Sequence, residues 1–144
     1  MDRVNEDFLA YVDGRTLLKG EPFTGVGYFL DEEGRLEGET TYRGGVQWGP
    51  ARAWFESGQL QQDYQMFRGV FHGKKRDWHE NGQLAEEADY EIGFRLRSKS
   101  WDEDGNLIEE FELDKNDPDY QRLEEHRTAY KMDLEDEERR PKEL

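Results

Sequence analysis

The chain has 144 residues, with 35 acidic against 20 basic side chains and a formal net charge of −15. Only 33% of the residues are hydrophobic but 13% are aromatic, too lean for a thick two-layer core and too aromatic for wholesale disorder. A negative surplus of this size repels phosphate backbones and anionic lipid, which argues against nucleic acid and membrane surfaces as partners and in favour of a basic protein.

The first seven residues, Met1 to Asp7, are acidic and lead into no apolar run, so no signal peptide is expected. The longest uncharged apolar stretch, Val26 to Leu30, is far short of the ~20 residues that span a bilayer. Cysteine is absent, which excludes disulfides, thiolate metal sites and a cysteine nucleophile and is compatible with a reducing compartment. The expected localisation is cytoplasmic. Residues 1–20 read as a partial unit or cap, with Tyr11, Gly14, Leu17 and Leu18 as its apolar and turn residues.

From residue 21 to 113 the chain is periodic. Gly34, Gly58, Gly82 and Gly105 follow one another at intervals of 24, 24 and 23 residues. Leu36, Leu60, Leu84 and Leu107 stand two places after them; Leu30, Trp54, Trp78 and Trp101 stand four places before. A second series runs Gly25, Gly49 and Gly73, with Arg97 in the fourth place, and a third runs Gly45, Gly69 and Gly93. Ser57-Gly58, Asn81-Gly82 and Asp104-Gly105 mark hairpin turns, and the last two pairs favour turns with both central residues at positive φ. Alternation after each turn puts Leu60, Tyr64 and Met66 on one strand face, and likewise Leu84, Ala88 and Tyr90, then Leu107, Phe111 and Leu113. Because an isolated hairpin is marginal in water, the units must stack. The expected fold is mainly β: an elongated single-layer antiparallel sheet of about four 24-residue hairpins with a C-terminal capping helix.

Residues 114–144 lose the glycines. Asn116-Asp117-Pro118 offers an N-cap with proline at the first helical position, and Tyr120, Leu123, Tyr130 and Leu134 form one stripe. A helix is predicted from about 118 to 135, with 135–138 and the Arg139-Arg140-Pro141 end frayed. The tail holds −4 of the charge and the rest of the chain −11.

Arg52, Arg76 and Lys99 stand two residues before a tryptophan, so strand alternation puts them on the same face as Trp54, Trp78 and Trp101. Stacked hairpins then yield an aromatic and a cationic ladder with steps of roughly 9–10 Å. Packing between repeats explains such columns, and so does a partner-binding face, since Trp and Arg are enriched in interface hot spots. Phe55, His79 and Asp102, one residue after each tryptophan, form a non-uniform column on the other face, where partner-specific residues are expected. The acidic tips, Asp31-Glu32-Glu33 and Asp102-Glu103-Asp104, serve solubility and edge blunting or dock onto a basic groove. The candidate binding residues are therefore Trp54, Trp78, Trp101, Arg52, Arg76, Phe55, His79, Asp102, Glu103 and Asp104. Ser57, Ser98 and Ser100 lack a nucleophile context, and His72, His79 and His126 lack metal-ligand spacing. A non-enzymatic chain without metal or cofactor is expected.

The pattern Trp-x-x-x-Gly-x-Leu, followed by an aromatic and Gly-x-x-x-Gly, resembles the MORN-variant repeat, and in particular the bacterial YwqK-like antitoxin group; Pro22-Phe23-Thr24-Gly25 fits the same group. The resemblance covers about Leu18 to Phe111. It departs at Arg97 and at the dropped residue, where the last hairpin is expected to be kinked. The resemblance implies an antitoxin or immunity protein that binds a cognate bacterial toxin, such as a nuclease or deaminase, and occludes its active site. The alternative is a non-inhibitory MORN-like scaffold for protein assembly. Self-association through sheet edges is compatible with either.

Overall fold

A computed structural model describes residues 1–140. The strands are β1 (Arg3–Asn5), β2 (Leu9–Val12), β3 (Arg15–Leu18), β4 (Glu21–Pro22), β5 (Gly25–Leu30), β6 (Leu36–Arg43), β7 (Val46–Trp54), β8 (Leu60–Phe67), β9 (Val70–Phe71), β10 (Gly73–Trp78), β11 (Leu84–Glu91), β12 (Phe94–Trp101) and β13 (Leu107–Glu112). Two helices follow, α1 (Pro118–Ala129) and α2 (Lys131–Glu138). The large sheet runs β1-β5-β6-β7-β8-β10-β11-β12-β13, with β9 on β8. Nine strands in line span about 38 Å at the usual ~4.8 Å spacing. The four hairpins anticipated from the repeat are β5/β6, β7/β8, β10/β11 and β12/β13.

Two features of the N-terminus depart from the expectation. β1 pairs with β5 in parallel, Arg3 opposite Val26, which makes the sheet mixed. β2, β3 and β4 form a separate three-stranded sheet that hydrogen-bonds to the Gly44–Gly45 turn, Thr16 N–H donating to the Gly45 carbonyl at 2.8 Å.

Turn chemistry is the reverse of the prediction. At the tips, the N–H of residues 31, 55, 79 and 102 donates to the carbonyl four residues on, and the glycine N–H three residues on donates back to the carbonyl of residue 31, 55, 79 or 102. Only the glycine of each tip has positive φ; Ser57, Asn81 and Asp104 do not. These are type I turns closed by a glycine bulge. The two-residue turns with both residues at positive φ lie at the other end, between hairpins: Gly44-Gly45, Arg68-Gly69 and Ile92-Gly93, and also Asp13-Gly14 and Lys19-Gly20 in the small sheet.

Each hairpin also has an extra residue beside its tip. Ala53 faces Gln62 but Trp54 faces Leu60, and the same slip recurs beside Leu30, Trp78 and Trp101. The bulge turns Leu60 to the tryptophan's face, away from Tyr64 and Met66, so the predicted single face is split. The Trp-x-x-x-Gly-x-Leu motif is a cross-strand Trp–Leu pair that brackets the turn, a contact type that contributes roughly 0.2–1 kcal/mol.

The 23-residue interval has a local cause. Between hairpins, β7 and β10 each carry two residues more than the strand they face. β12 carries one, Leu96. Gly49 (φ 108°) and Gly73 (φ 104°) sit in the two-residue bulges. The shorter bulge needs no such backbone, so Arg97 takes a regular place opposite Asp89 and Glu112. The last hairpin is therefore as regular as the others and not kinked.

The core lies at the two-residue-turn end. Phe67, Ile92 and Leu123 are buried there and surrounded by Trp48, Phe94, Leu96, Leu113, Tyr130 and Leu134. Asp117 caps α1, its carboxylate accepting from Asp119 N–H at 2.9 Å. The single predicted helix is broken at Tyr130 (φ −109°, ψ 18°), whose ring meets Phe67 edge-on at 6.2 Å. The segment expected to fray, 135–138, is helical in α2. It is held there because the buried Glu137 carboxylate accepts the Trp48 indole N–H at 2.8 Å and Arg68 pairs with Asp133 at 2.7 Å. Pro141 lies outside the described residues. Neither helix is long and apolar enough to cross a membrane.

Candidate interaction face

The two faces of the large sheet carry different chemistry. One holds Ala51 opposite Tyr64 and Ala88 opposite both Lys75 and Ser98. It also holds an aromatic stack, Tyr64 on Phe71 at 5.3 Å and Phe71 on Tyr90 at 5.1 Å. The other face carries the predicted ladders. Register joins Tyr28, Glu39, Arg52, Asp63, Arg76, Glu87, Lys99 and Glu110 in one unbroken row across eight strands. From Glu39 onward the charge alternates in sign at every step.

Arg52, Arg76 and Lys99 share that face with Trp54, Trp78 and Trp101, as alternation requires. The structure adds their acidic partners. Arg76 Nε donates to Glu87 at 2.9 Å, Lys99 lies 3.8 Å from Glu110, and Glu39 is taken by Arg3 of β1 at 2.6 Å. A second row places Lys74 3.1 Å and Arg97 3.0 Å from Asp89. Arg52 is exposed and makes no ion pair among the described residues. Sequence reasoning missed the acidic column, although its signal was present: Glu39, Asp63, Glu87 and Glu110 each stand nine residues after Leu30, Trp54, Trp78 and Trp101. The Arg76 guanidinium holds the Glu87 carboxyl below its ordinary value, against the opposing effect of burial. Burial pushes Asp89 up, but Arg97 and Lys74 together bring it below its usual range.

Trp54, Trp78 and Trp101 stand half-buried at the tip end, whereas Trp48 lies against α2. Around Trp54 the tips of the first two hairpins form an open cleft of about 410 Å³. Leu30, Leu36, Trp54 and Phe55 line its apolar part, and Asp31, Glu32, Glu33, Glu37 and Glu56 the rest. Phe55 therefore joins Trp54 at one site and is not on a separate face. Arg35 crosses the rim, bonding Asp31 at 2.8 Å, Glu33 at 3.1 Å and Glu56 at 2.9 Å.

Phe55, His79 and Asp102 are the first residues of their tip loops, a column that Asp31 completes. His79 Nε2 lies 2.9 Å from the Trp101 carbonyl, and Asn81 donates to the Glu103 carbonyl at 3.0 Å, so these side chains tie one tip to the next. Asp102 accepts from the backbone N–H of Asn106 at 2.9 Å and of Asp104 at 3.0 Å. Those bonds, the Asn106 backbone first, hold its carboxyl below the usual range. Asp31 does the same with Arg35 and Glu33. Asp31 and Asp102 are thus committed to building their turns, while the Glu103 and Asp104 carboxylates are exposed.

A comparison with curated proteins and one with solved structures gave no match. A family model described as the MORN repeat variant matches residues 71–91, which run from Phe71 through β10 and the Asn81-Gly82 tip to the end of β11. The third of the four hairpins thus matches the MORN-variant repeat, and the second and fourth repeat its tip, its bulge and its Trp–Leu pair.

Proposed function

We propose that this chain is an antitoxin or immunity protein that binds a basic bacterial toxin and covers its active site. The observation that carries the reading is the tip cleft. It joins aromatic and aliphatic surface, the composition of an interface hot spot, to a carboxylate rim in which Arg35 takes Asp31, Glu33 and Glu56 while Glu32 and Glu37 make no ion pair among the described residues and face a cationic groove. The net charge of −15 adds long-range attraction to the same kind of partner. Occlusion needs no catalytic group from this chain, only a rigid surface, and a hydrogen-bonded sheet with linked tips supplies one.

The test is co-expression with the basic protein, if any, that the neighbouring gene encodes, assayed for toxicity on its own and followed by kinetics on the purified pair. Growth rescue is expected, with an on-rate that falls about tenfold or more between low and high salt. Trp54→Ala should weaken binding by about 2 kcal/mol, or roughly thirtyfold, with an unchanged circular dichroism spectrum. An on-rate indifferent to salt removes the charge argument, and absence of rescue removes the antitoxin reading. The MORN-variant match suits a second reading equally, a scaffold that assembles proteins without inhibiting any. That reading predicts binding partners whose activity survives in the complex.

A further inference from the structure

The charged row is closed at one end of the sheet and open at the other. At the first end Glu39 is met by Arg3 from β1, which lies over the Tyr28 ring at 5.1 Å. Along the row each acid on a returning strand is then met by a cation on the next strand: Glu39 by Arg52, Asp63 by Arg76, Glu87 by Lys99, and in the adjacent row Asp89 by Arg97. β13 is the last strand, and among the described residues it pairs with β12 alone. Its acids Glu110 and Glu112 have Lys99 and Arg97 on one side and no strand on the other.

The backbone is directed the same way. Leu113 N–H donates to the Leu96 carbonyl at 2.8 Å. In an antiparallel pair inward and outward residues alternate, so the N–H and C=O of Glu110 and Glu112 point to the open edge. Apolar surface adjoins them, Leu107 being 51% and Ile108 67% exposed.

We propose that the open edge of β13 receives an extended strand from a basic partner protein. The strand pairs antiparallel and places Arg or Lys at two alternate positions opposite Glu110 and Glu112. Main-chain hydrogen bonds supply the attachment and the alternate cations the specificity, as in strand addition generally. A second copy of this chain is a poor occupant, because two bodies of charge −15 repel. The proposal rests on the reading of the chain as a binder of a basic protein, and it names where and how that protein is held.

The probe is a labelled peptide with the sequence of residues 94–102, Phe-Arg-Leu-Arg-Ser-Lys-Ser-Trp-Asp. In the intact chain this sequence lies against Asp89 and Glu87 of β11 just as the guest would lie against Glu112 and Glu110. Addition to the full chain should slow amide exchange at Glu110 and Glu112 selectively. Glu110→Gln should weaken binding about three- to fivefold, and Glu110→Pro, which also removes the outward N–H, at least about tenfold. Proline is tolerated on an edge strand whose N–H faces solvent; Glu112→Pro repeats the test at a second site. The double variant Glu110→Lys/Glu112→Lys should reject the peptide and accept one in which Arg97 and Lys99 are replaced by Glu. No binding, dimerisation in place of binding, or binding insensitive to both prolines overturns the proposal. If the peptide fails while the toxin is neutralised at full affinity by Glu110→Pro, the antitoxin reading survives and the edge does not. If the peptide binds and no toxin is neutralised, the reverse holds.

Discussion

Ile92 sets backbone strain against burial, and replacing it separates the two. Its φ is 48°, a left-handed conformation that a β-branched residue adopts at a cost of about 1–2 kcal/mol. It is nevertheless 6% exposed and packed with Phe67 and Leu123. Ile92→Gly relieves the strain but removes a buried side chain worth about 2–5 kcal/mol and adds about 0.5–1 kcal/mol of unfolded-state entropy. The net expectation is a loss of about 2–3 kcal/mol, or roughly 6–10 °C in Tm for a chain of this size. Lys19 is the control: φ is 52° at the same position of another two-residue turn, Lys19-Gly20, with an exposed side chain. Lys19→Gly should therefore stabilise by about 0.5–1 kcal/mol. Urea titrations followed by tryptophan fluorescence, with Trp48 reporting from beside Phe67, measure both. If the two variants shift stability in the same direction by similar amounts, the helices do not press on Ile92 and this account of the core is wrong. The substitution lies at the end remote from the tips, so binding by the folded fraction should be unchanged.

Acid should weaken the charged ladder in a defined window. Glu87 has a depressed carboxyl, so its contribution is complete above the ordinary value of 4.5 and disappears as pH falls through the lower folded value. Glu87→Gln should be less stable than the parent at pH 7, with the difference shrinking as the pH falls below 4.5; a difference in urea midpoint that does not change with pH would discount the Arg76 pairing. Glu137→Leu leaves the half-buried Trp48 indole N–H without its Glu137 acceptor and should cost about 1–3 kcal/mol, whereas Glu137→Gln, which keeps a carbonyl oxygen there, should cost less; thermal melts rank the two. A glycine inserted between Leu96 and Arg97 restores the 24-residue interval and should be accepted within about 1 kcal/mol as a two-residue bulge. Deleting Ala88, by contrast, moves every later residue of β11 to the wrong face and should abolish the cooperative melt.

What the sequence reveals here depends on whether a feature is periodic. The hairpins, their order and the shared face of Trp54 and Arg52 follow from columns at one interval and the two-residue period of a strand. The acidic column at Glu39, Asp63, Glu87 and Glu110 obeys the same interval and was equally legible. Bulges are not. One extra residue, such as Gln61, inverts the side-chain parity beyond it, and alternation counted through it sends Leu60 to the wrong face. The turn types fail for a related reason. Asn81-Gly82 is the usual two-residue turn signal, but the turn type follows the length of the closed loop, and the bulge lengthens it. Contacts without a repeat were the least visible: nothing in the spacing joins Glu137 to Trp48 or places Arg3 over Glu39, because each links the array to a segment outside it.

The distribution of charge has a directional consequence. On the ladder face, acids are matched strand by strand as far as Lys99, so that region contributes little field at a distance. The exposed carboxylates that make no ion pair among the described residues are concentrated along two borders. One is the row of tips, with Glu32, Glu80, Glu103 and Asp104; the other is β13, with Glu109 and Glu112, beside Glu110, which Lys99 meets only at 3.8 Å. These borders meet at the Asp102–Leu107 tip, where Trp101 stands opposite Leu107. A cationic partner is drawn toward that corner before it touches the sheet, and from there it can reach both the tip surface and the open backbone of β13. Reversing charge at Glu103 and Asp104 should therefore lower the on-rate with little change in off-rate. Blocking the β13 backbone should do the opposite. Equal effects of both changes on the off-rate would place the partner elsewhere.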